Sequence, residues 1–212
     1  MTEEEKKEFR EEILARISSM DYIKPQDIPD IDLYMDQVTT FVDEHLGSLK
    51  RHDDDKMLTK TMINNYSKNK LLPSPEKKKY SKEHMLLLIF IYYFKNVLSI
   101  NDIASILTPL TEEYFKKSED GLSLSDVYGE IFKIANDSTG DIIKSILHEY
   151  EDAKDAFSGE EDKGRRRFLT DFAFLSSLCF DIYVRKMIVE SMIDNDVLNK
   201  DLGREKNDPK KK

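Results

Sequence analysis

The side chains best suited to chemistry are lysines, carboxamides, hydroxyls and phenols concentrated between positions 59 and 80. Lysines neutralise phosphate oxygens, whereas an Asn carboxamide can pair with two edge atoms of adenine in the major groove of DNA. These residue types at this density could therefore contact duplex DNA. The candidate DNA-contacting residues are Thr59, Lys60, Asn64, Asn65, Tyr66, Lys68, Lys70, Lys77, Lys78, Lys79 and Tyr80.

The charge of the chain is strongly segregated. The whole chain has a formal charge of −9, but residues 50–82, here called the basic segment, hold ten Lys or Arg and only four Asp or Glu. The basic segment is therefore +6, and the remaining chain, with 23 Lys or Arg and 38 Asp or Glu, is −15. Such segregation directs an anion-attracting field to one region and repels polyanions elsewhere. The alternative is a solvated basic helix and loop that binds an acidic protein partner.

Catalytic and metal-binding patterns are missing from the sequence. It contains no glycine-rich phosphate loop, no H-E-x-x-H and no Cys/His ligand spacing, and the four histidines are scattered. Asp53-Asp54-Asp55 is interpreted as a solvent-facing turn. The single cysteine, Cys179, lies among apolar residues, so we expect a buried, unreactive thiol and no internal disulfide. We expect no enzymatic activity, no cofactor and no metal.

The N-terminus and the longest apolar run favour a cytoplasmic location. The first seven residues are acidic and polar, where a secretory signal needs a basic start and an apolar stretch. The apolar run 85–94 is about half of the roughly 20 residues that cross a bilayer. We therefore expect a buried helix at 85–94 and no membrane partner.

The elements that must position these side chains are predicted to be helices. Gly and Pro number only 7 and 6, and apolar residues recur at spacings of three and four. The pattern predicts an all-α fold, with Ser81 and Ser99 as helix caps and residues 76–80 as a small extended wing. The predicted helices are an N-terminal helix within 1–27 and helices at about 32–46, 58–69, 82–96, 100–107, 111–118, 123–136, 139–157 and 165–199.

The last predicted helix carries a heptad row of apolar residues. Phe168, Leu175, Ile182 and Val189 repeat every seven residues, and Phe172 follows Phe168 by four. This spacing is typical of a coiled-coil seam. We expect these five residues to form a homodimer seam, and the broad apolar face to pack on the preceding helices as well.

The predicted domain organisation has four parts. They are an N-terminal helix at 1–27, a DNA-binding head at 28–110, a C-terminal helical domain for dimerisation or effector binding at 111–204, and a disordered tail at 205–212.

Three blocks of the basic segment and its downstream flank resemble MerR-like regulators. Residues 62–75, MINNYSKNKLLPSP, resemble the recognition helix and following turn, T-L-R-Y-Y, three residues, G-L-L-P-P. Residues 79–84, KYSKEH, resemble R-Y-Y-S-E-E-D, and 98–103, LSINDI, are similar to F-S-L-E-E-I. The chain departs from the pattern at Asn64, where the family has Arg, and at Lys70 and Lys77, where it has Gly.

A closer likeness covers residues 28–110, including IDLYMDQVT at 31–39. It is to a bacterial family known mainly as a domain of unknown function and described as MerR-like. The resemblance implies a winged helix-turn-helix, a homodimer on palindromic double-stranded DNA and a repressor-type transcriptional regulator, with no defined effector. The alternative function is a non-enzymatic adaptor that binds an acidic protein through the basic face.

Overall fold

The computed structural model describes residues 3–18, 23–52, 54–116 and 121–204, and most of them are helical, which confirms the all-α class. The predicted disordered tail and the predicted turn residue Asp53 lie outside the described residues. The helices are α1 (Glu3–Ser18), α2 (Met35–Leu46), α3 (Lys60–Lys68), α4 (Lys82–Phe94), α5 (Ile100–Tyr114), α6 (Leu124–Ala156), α7 (Lys163–Asp194) and α8 (Val197–Asp201), and the strands are β1 (Leu33–Tyr34) and β2 (Lys79–Tyr80).

The chain divides into two compact units. The first unit consists of 1–20 and 133–187, and the second consists of 21–132 and 188–212. The second unit therefore contains the basic segment. It also contains residues 111–132 and 188–204, which we predicted to belong to a separate C-terminal domain.

The core of the second unit is centred on α4. Every residue from His84 to Tyr92 is buried, as expected for a helix that is apolar around its whole circumference. The two strands pair antiparallel, with Leu33 opposite Tyr80, and both α2 and α4 pack against β2. This arrangement joins the segments on either side of α3 to one core.

Short polar residues precede α3, α4 and α5 and cap these helices. Thr59 Oγ1 accepts a hydrogen bond from the Met62 amide at 3.2 Å, and Ser99 Oγ accepts one from the Asp102 amide at 3.2 Å. The Ser81 amide donates to His84 Nδ1 at 3.0 Å. The predicted starts of α4 and α5 at Ser81 and Ser99 are confirmed, because these contacts occupy amides that the first helical turn leaves unpaired.

Two predicted helix breaks were wrong. Helix α5 continues through Pro109 to Tyr114, and α6 continues through residues 137–140. Within α6, Ser138 and Thr139 donate their hydroxyls to carbonyls four residues earlier, at 2.8 and 3.1 Å. A hydroxyl that donates to the carbonyl four residues earlier forms its hydrogen bond within the helix, so the helix continues.

A buried hydrogen bond links the two ends of the segment 23–128. The Tyr128 hydroxyl donates to the Ile23 carbonyl at 2.6 Å, and both residues belong to the core. Burial raises the pKa of Tyr128 far above its ordinary value. The hydroxyl therefore stays protonated as a donor.

Replacing Tyr128 by Phe is expected to lower the free energy of unfolding by about 1–3 kcal/mol, because the Ile23 carbonyl would lose its buried donor. Urea denaturation followed by circular dichroism measures the change. Tyr183→Phe is the matched control, since Tyr183 is 64% exposed. Equal effects of the two substitutions would show that the buried bond contributes nothing.

The first unit has a small core and a large exposed apolar surface. Tyr150, Ala153 and Phe174 are buried together, and Thr170 is buried one turn before Phe174. The opposite side of α7 is exposed, and Cys179 lies there, so our prediction of a buried thiol was wrong. None of the described helices combines the length and apolar character needed to span a membrane.

Candidate nucleic-acid interface

Helix α3 separates a buried face from a polar exposed face. Ile63 and Tyr66 are buried in the core, whereas Asn64, Asn65 and Lys68 are exposed. The threefold and fourfold spacing of a helix produces this division. Thr61 is exposed at the same spacing, three and seven residues before Asn64 and Lys68, and the sequence prediction missed it although the helical period places it there.

The two predicted DNA-contacting tyrosines belong to the core. Tyr66 is 6% exposed and Tyr80 is 3% exposed. Burial raises the pKa of both phenols. We therefore correct the prediction for Tyr66 and Tyr80, because their rings pack inside the second unit and offer no face for stacking or groove contact.

The predicted small extended wing at 76–80 begins with a tight lysine turn that leads into β2. The Lys79 amide donates to the Glu76 carbonyl at 2.8 Å, and the two central residues, Lys77 and Lys78, have φ of 48° and 66°. Positive φ at both central positions is typical of a type I′ turn. The side chains of Lys77 and Lys78 are exposed, and Lys79 Nζ lies 5.2 Å from the Tyr34 ring centroid.

Lys70 also adopts the left-handed backbone conformation. It follows the C-cap Asn69 with φ of 59°, and the Leu71 amide donates a hydrogen bond to the Tyr66 carbonyl at 2.9 Å. This position after a helix usually holds Gly, because a side chain there costs energy. Lys70 and Lys77 are the positions where the MerR-like pattern has Gly, so this chain keeps the glycine geometry while carrying lysine.

The glycine geometry predicts a gain in stability on substitution. Lys70→Gly and Lys77→Gly are each expected to raise the free energy of unfolding by about 0.5–1 kcal/mol, because glycine adopts positive φ without steric cost. Lys68→Gly is the control and should lower it by up to about 1 kcal/mol, since Lys68 is helical. Chemical denaturation of the three variants measures these changes. A loss of stability in all three would contradict the backbone argument.

Two candidate residues at the start of α3 already have partners. Thr59 is the helix cap, and Lys60 forms an ion pair with Asp36 of α2. The Lys60 and Asp36 side chains are both largely exposed, so their ion pair contributes little to stability. A phosphate oxygen could therefore replace Asp36 as the partner of Lys60 at small cost.

The titratable side chains of the described residues form no metal centre. Within the described ranges, no group of three or more His, Cys, Asp and Glu lies close enough together to hold a metal ion. His84 is buried beside Tyr80 and Phe115, and desolvation lowers its pKa. It is therefore a neutral core residue that accepts from the backbone of its own helix cap.

The match with a known protein family covers the same elements. Residues 23–131, from the segment before β1 to the first turns of α6, match the family described as "Domain of unknown function (DUF1836)". Comparisons with curated proteins and with solved structures give no significant match. The predicted likeness to a family of unknown function is confirmed, whereas the MerR-like character of that family stays a prediction. Because the match spans more than half of the 212 residues, the chain belongs to the DUF1836 family.

Proposed function

We propose that this protein is a sequence-specific, double-stranded DNA-binding transcriptional regulator of the repressor type. In this proposal, α3 enters the major groove as the recognition helix and the turn at 76–79 acts as the wing. The proposal extends the MerR-like resemblance of the basic segment to a function. It requires no catalytic group, cofactor or metal.

The observation that carries the proposal is the set of exposed lysines held at positive φ. Lys70, Lys77 and Lys78 all have φ between 48° and 66°, and all are exposed. A left-handed conformation costs a non-glycine residue about 1–2 kcal/mol. Glycine would avoid this cost but would remove the charge. Strained residues concentrate at functional sites, so three strained cations in one basic segment support binding to a polyanion.

The exposed residues divide into two kinds of DNA contact. Asn64 and Asn65 lie on the exposed face of α3 and are suited to base edges, whereas Lys68, Lys70 and Lys78 are suited to phosphates. The first helix of the proposed motif is α2, which packs against α3. Residues 47–59 connect them and are longer than the tight turn of the MerR-like pattern. This connection distinguishes the chain from that pattern.

A homodimer is part of the same proposal. Phe168, Phe172, Leu175 and Ile182 are all 60–66% exposed on α7, whereas Phe174 is buried. The fifth predicted seam residue, Val189, is only partly exposed and lies in the second unit. Exposed apolar rows of this size are typical of a surface that another chain covers. A second copy fits because a heptad row is self-complementary, and two recognition helices then address two half-sites.

Selection from a random duplex library tests whether the protein distinguishes DNA sequences. We expect one enriched, palindromic sequence that binds at least about 1,000-fold more tightly than its shuffled version at physiological salt. Fluorescence anisotropy at two salt concentrations measures both affinities. Equal binding to the selected and shuffled duplexes would contradict the proposal and favour an adaptor with a basic protein-binding face.

A further inference from the structure

A cleft of about 300 Å³ lies within the first unit, between the C-terminal part of α6 and the first turns of α7. Four of the described side chains that line it are cationic: Lys154, Lys163, Arg166 and Arg167. Asp171 is the single carboxylate among the described lining residues. We call this site the basic cleft. Its lining attracts anions, although the chain as a whole has a formal charge of −9.

At least two of the four cations are available to a ligand. Lys163 and Arg166 form no ion pair with any described residue, and Arg166 is half-buried. Lys154 pairs with Glu151, which does not line the cleft. Asp171 is exposed, so water screens its negative charge. The basic cleft therefore keeps positive charge that its own carboxylate does not neutralise.

A buried hydroxyl distinguishes the basic cleft from an ordinary charged surface. Thr170 lines the cleft and is only 6% exposed, yet its hydroxyl forms no hydrogen bond with any described residue. A helical threonine can donate to the carbonyl four residues earlier, as Thr139 does in α6. Among the described residues, the fully enclosed polar atoms that lack a partner do not include this hydroxyl, so it is accessible from the cleft. Because buried polar groups nearly always have a partner, Thr170 is a donor that a bound group would satisfy.

We propose that the basic cleft binds a small molecule that carries a phosphate group. A phosphate dianion accepts several charge-assisted hydrogen bonds, and an arginine guanidinium can donate to two of its oxygens at once. Lys163 and Arg166 would neutralise the dianion, and the Thr170 hydroxyl would donate to a further oxygen. This site adds ligand binding to the proposed function and does not depend on it.

The side chains, rather than the end of α7, must supply the attraction. Asp162 Oδ1 already accepts from the Arg165 amide at 2.8 Å, and the Asp162 carbonyl accepts from the Arg166 amide at 2.8 Å. These two amides are therefore not free to bind an anion. The volume of about 300 Å³ falls at the lower end of the range for small-ligand pockets, which favours a small phosphorylated molecule.

Three probes with one three-carbon skeleton test the proposal by isothermal titration calorimetry. They are glycerol 3-phosphate, glycerate and glycerol, used at neutral pH and constant ionic strength with the full chain and no DNA. We expect glycerol 3-phosphate to bind with a Kd below about 1 mM and about tenfold more tightly than glycerate, because a dianion with three terminal oxygens meets more donors. Glycerol should not bind measurably.

Two adjacent arginines provide matched variants. Arg166→Gln and Arg165→Gln remove the same charge, but of the two residues only Arg166 lines the cleft. Arg166→Gln should weaken binding of glycerol 3-phosphate about tenfold, whereas Arg165→Gln should weaken it by less than about threefold.

Substitutions of Thr170 test the buried hydroxyl. Thr170→Val removes the hydroxyl but keeps the branched shape, and it should weaken binding of glycerol 3-phosphate about fivefold. Its thermal unfolding midpoint should not fall, because the hydroxyl has no described partner to lose. Thr170→Ser keeps the hydroxyl and should bind the probe like the parent chain.

Several outcomes would overturn the proposal. They are no binding of glycerol 3-phosphate, equal affinity for glycerol 3-phosphate and glycerate, equal losses in the two arginine variants, and full binding by a folded Thr170→Val chain. If Thr170→Val does not fold, the arginine pair still decides. Weaker duplex binding by Arg166→Gln, together with no binding of the phosphate probe, would assign the cleft to the DNA backbone instead. Because the titrations contain no DNA, their failure is distinguishable from failure of the DNA-binding proposal.

Discussion

Lys68→Glu combined with Lys78→Glu is expected to weaken DNA binding about 100-fold at low salt. Each substitution replaces a phosphate-binding lysine with a carboxylate that repels the phosphates. Both side chains are exposed, and neither is buried in the core. The logarithmic dependence of affinity on salt should also become shallower by about two, one for each lost phosphate contact. Fluorescence anisotropy with a duplex at several salt concentrations measures affinity and slope in one experiment.

The control makes the same change in net charge at two lysines outside the basic segment. Lys133→Glu with Lys200→Glu alters two exposed lysines of α6 and α8. If the proposed interface is right, this control should change the affinity by less than about threefold, because neither lysine belongs to α3 or to the turn at 76–79. Comparable losses in both double variants would mean that net charge, and not the interface on α3 and the turn, governs binding.

Introducing a carboxylate into the exposed row of α7 is expected to convert the dimer to a monomer. Leu175 is 61% exposed in the single chain, and in the proposed dimer it would be covered by the second copy. Leu175→Glu would then bury two unpaired carboxylates per dimer. A total cost of about 4 kcal/mol raises the dissociation constant roughly 1,000-fold. Sedimentation velocity across micromolar concentrations measures the shift.

Ser191→Glu adds the same group elsewhere on α7 and serves as the control. Ser191 is exposed and lies outside the heptad row. This variant should remain a dimer, and both variants should keep the helical content of the parent. A wild-type chain that sediments as a monomer at micromolar concentrations would refute the proposed seam. In that case the apolar side of α7 would need another partner.

The composition and local patterns of the sequence determined the class of the fold. Few Gly and Pro residues and regular apolar spacing predict helices because both are local properties of the backbone. The starts of α4 and α5 followed from Ser81 and Ser99, since a cap needs only a hydroxyl and the next few amides. The segregation of charge into residues 50–82 was equally visible, because covalent order alone brings those lysines together.

Burial could not be determined in the same way. Tyr66 and Tyr80 combine apolar rings with hydroxyls, so their types fit either a DNA interface or a core. Only the packing of α3 and β2 on the rest of the second unit buried them. Cys179 shows the converse, because its apolar neighbours suggested a core, yet Cys179 and the adjacent Phe180 are exposed on α7 in the single chain.

The backbone of the candidate interface was also decided by the tertiary structure. Lysine ordinarily avoids positive φ, so the sequence offered no reason to place Lys78 there. The pairing of β2 with β1 and the return of the chain from α3 to the core set the left-handed conformations at Lys70, Lys77 and Lys78. The sequence thus determined which residues could contact DNA, because charge and helical period are local. The tertiary structure decided which of them are exposed, because exposure depends on segments distant in the chain.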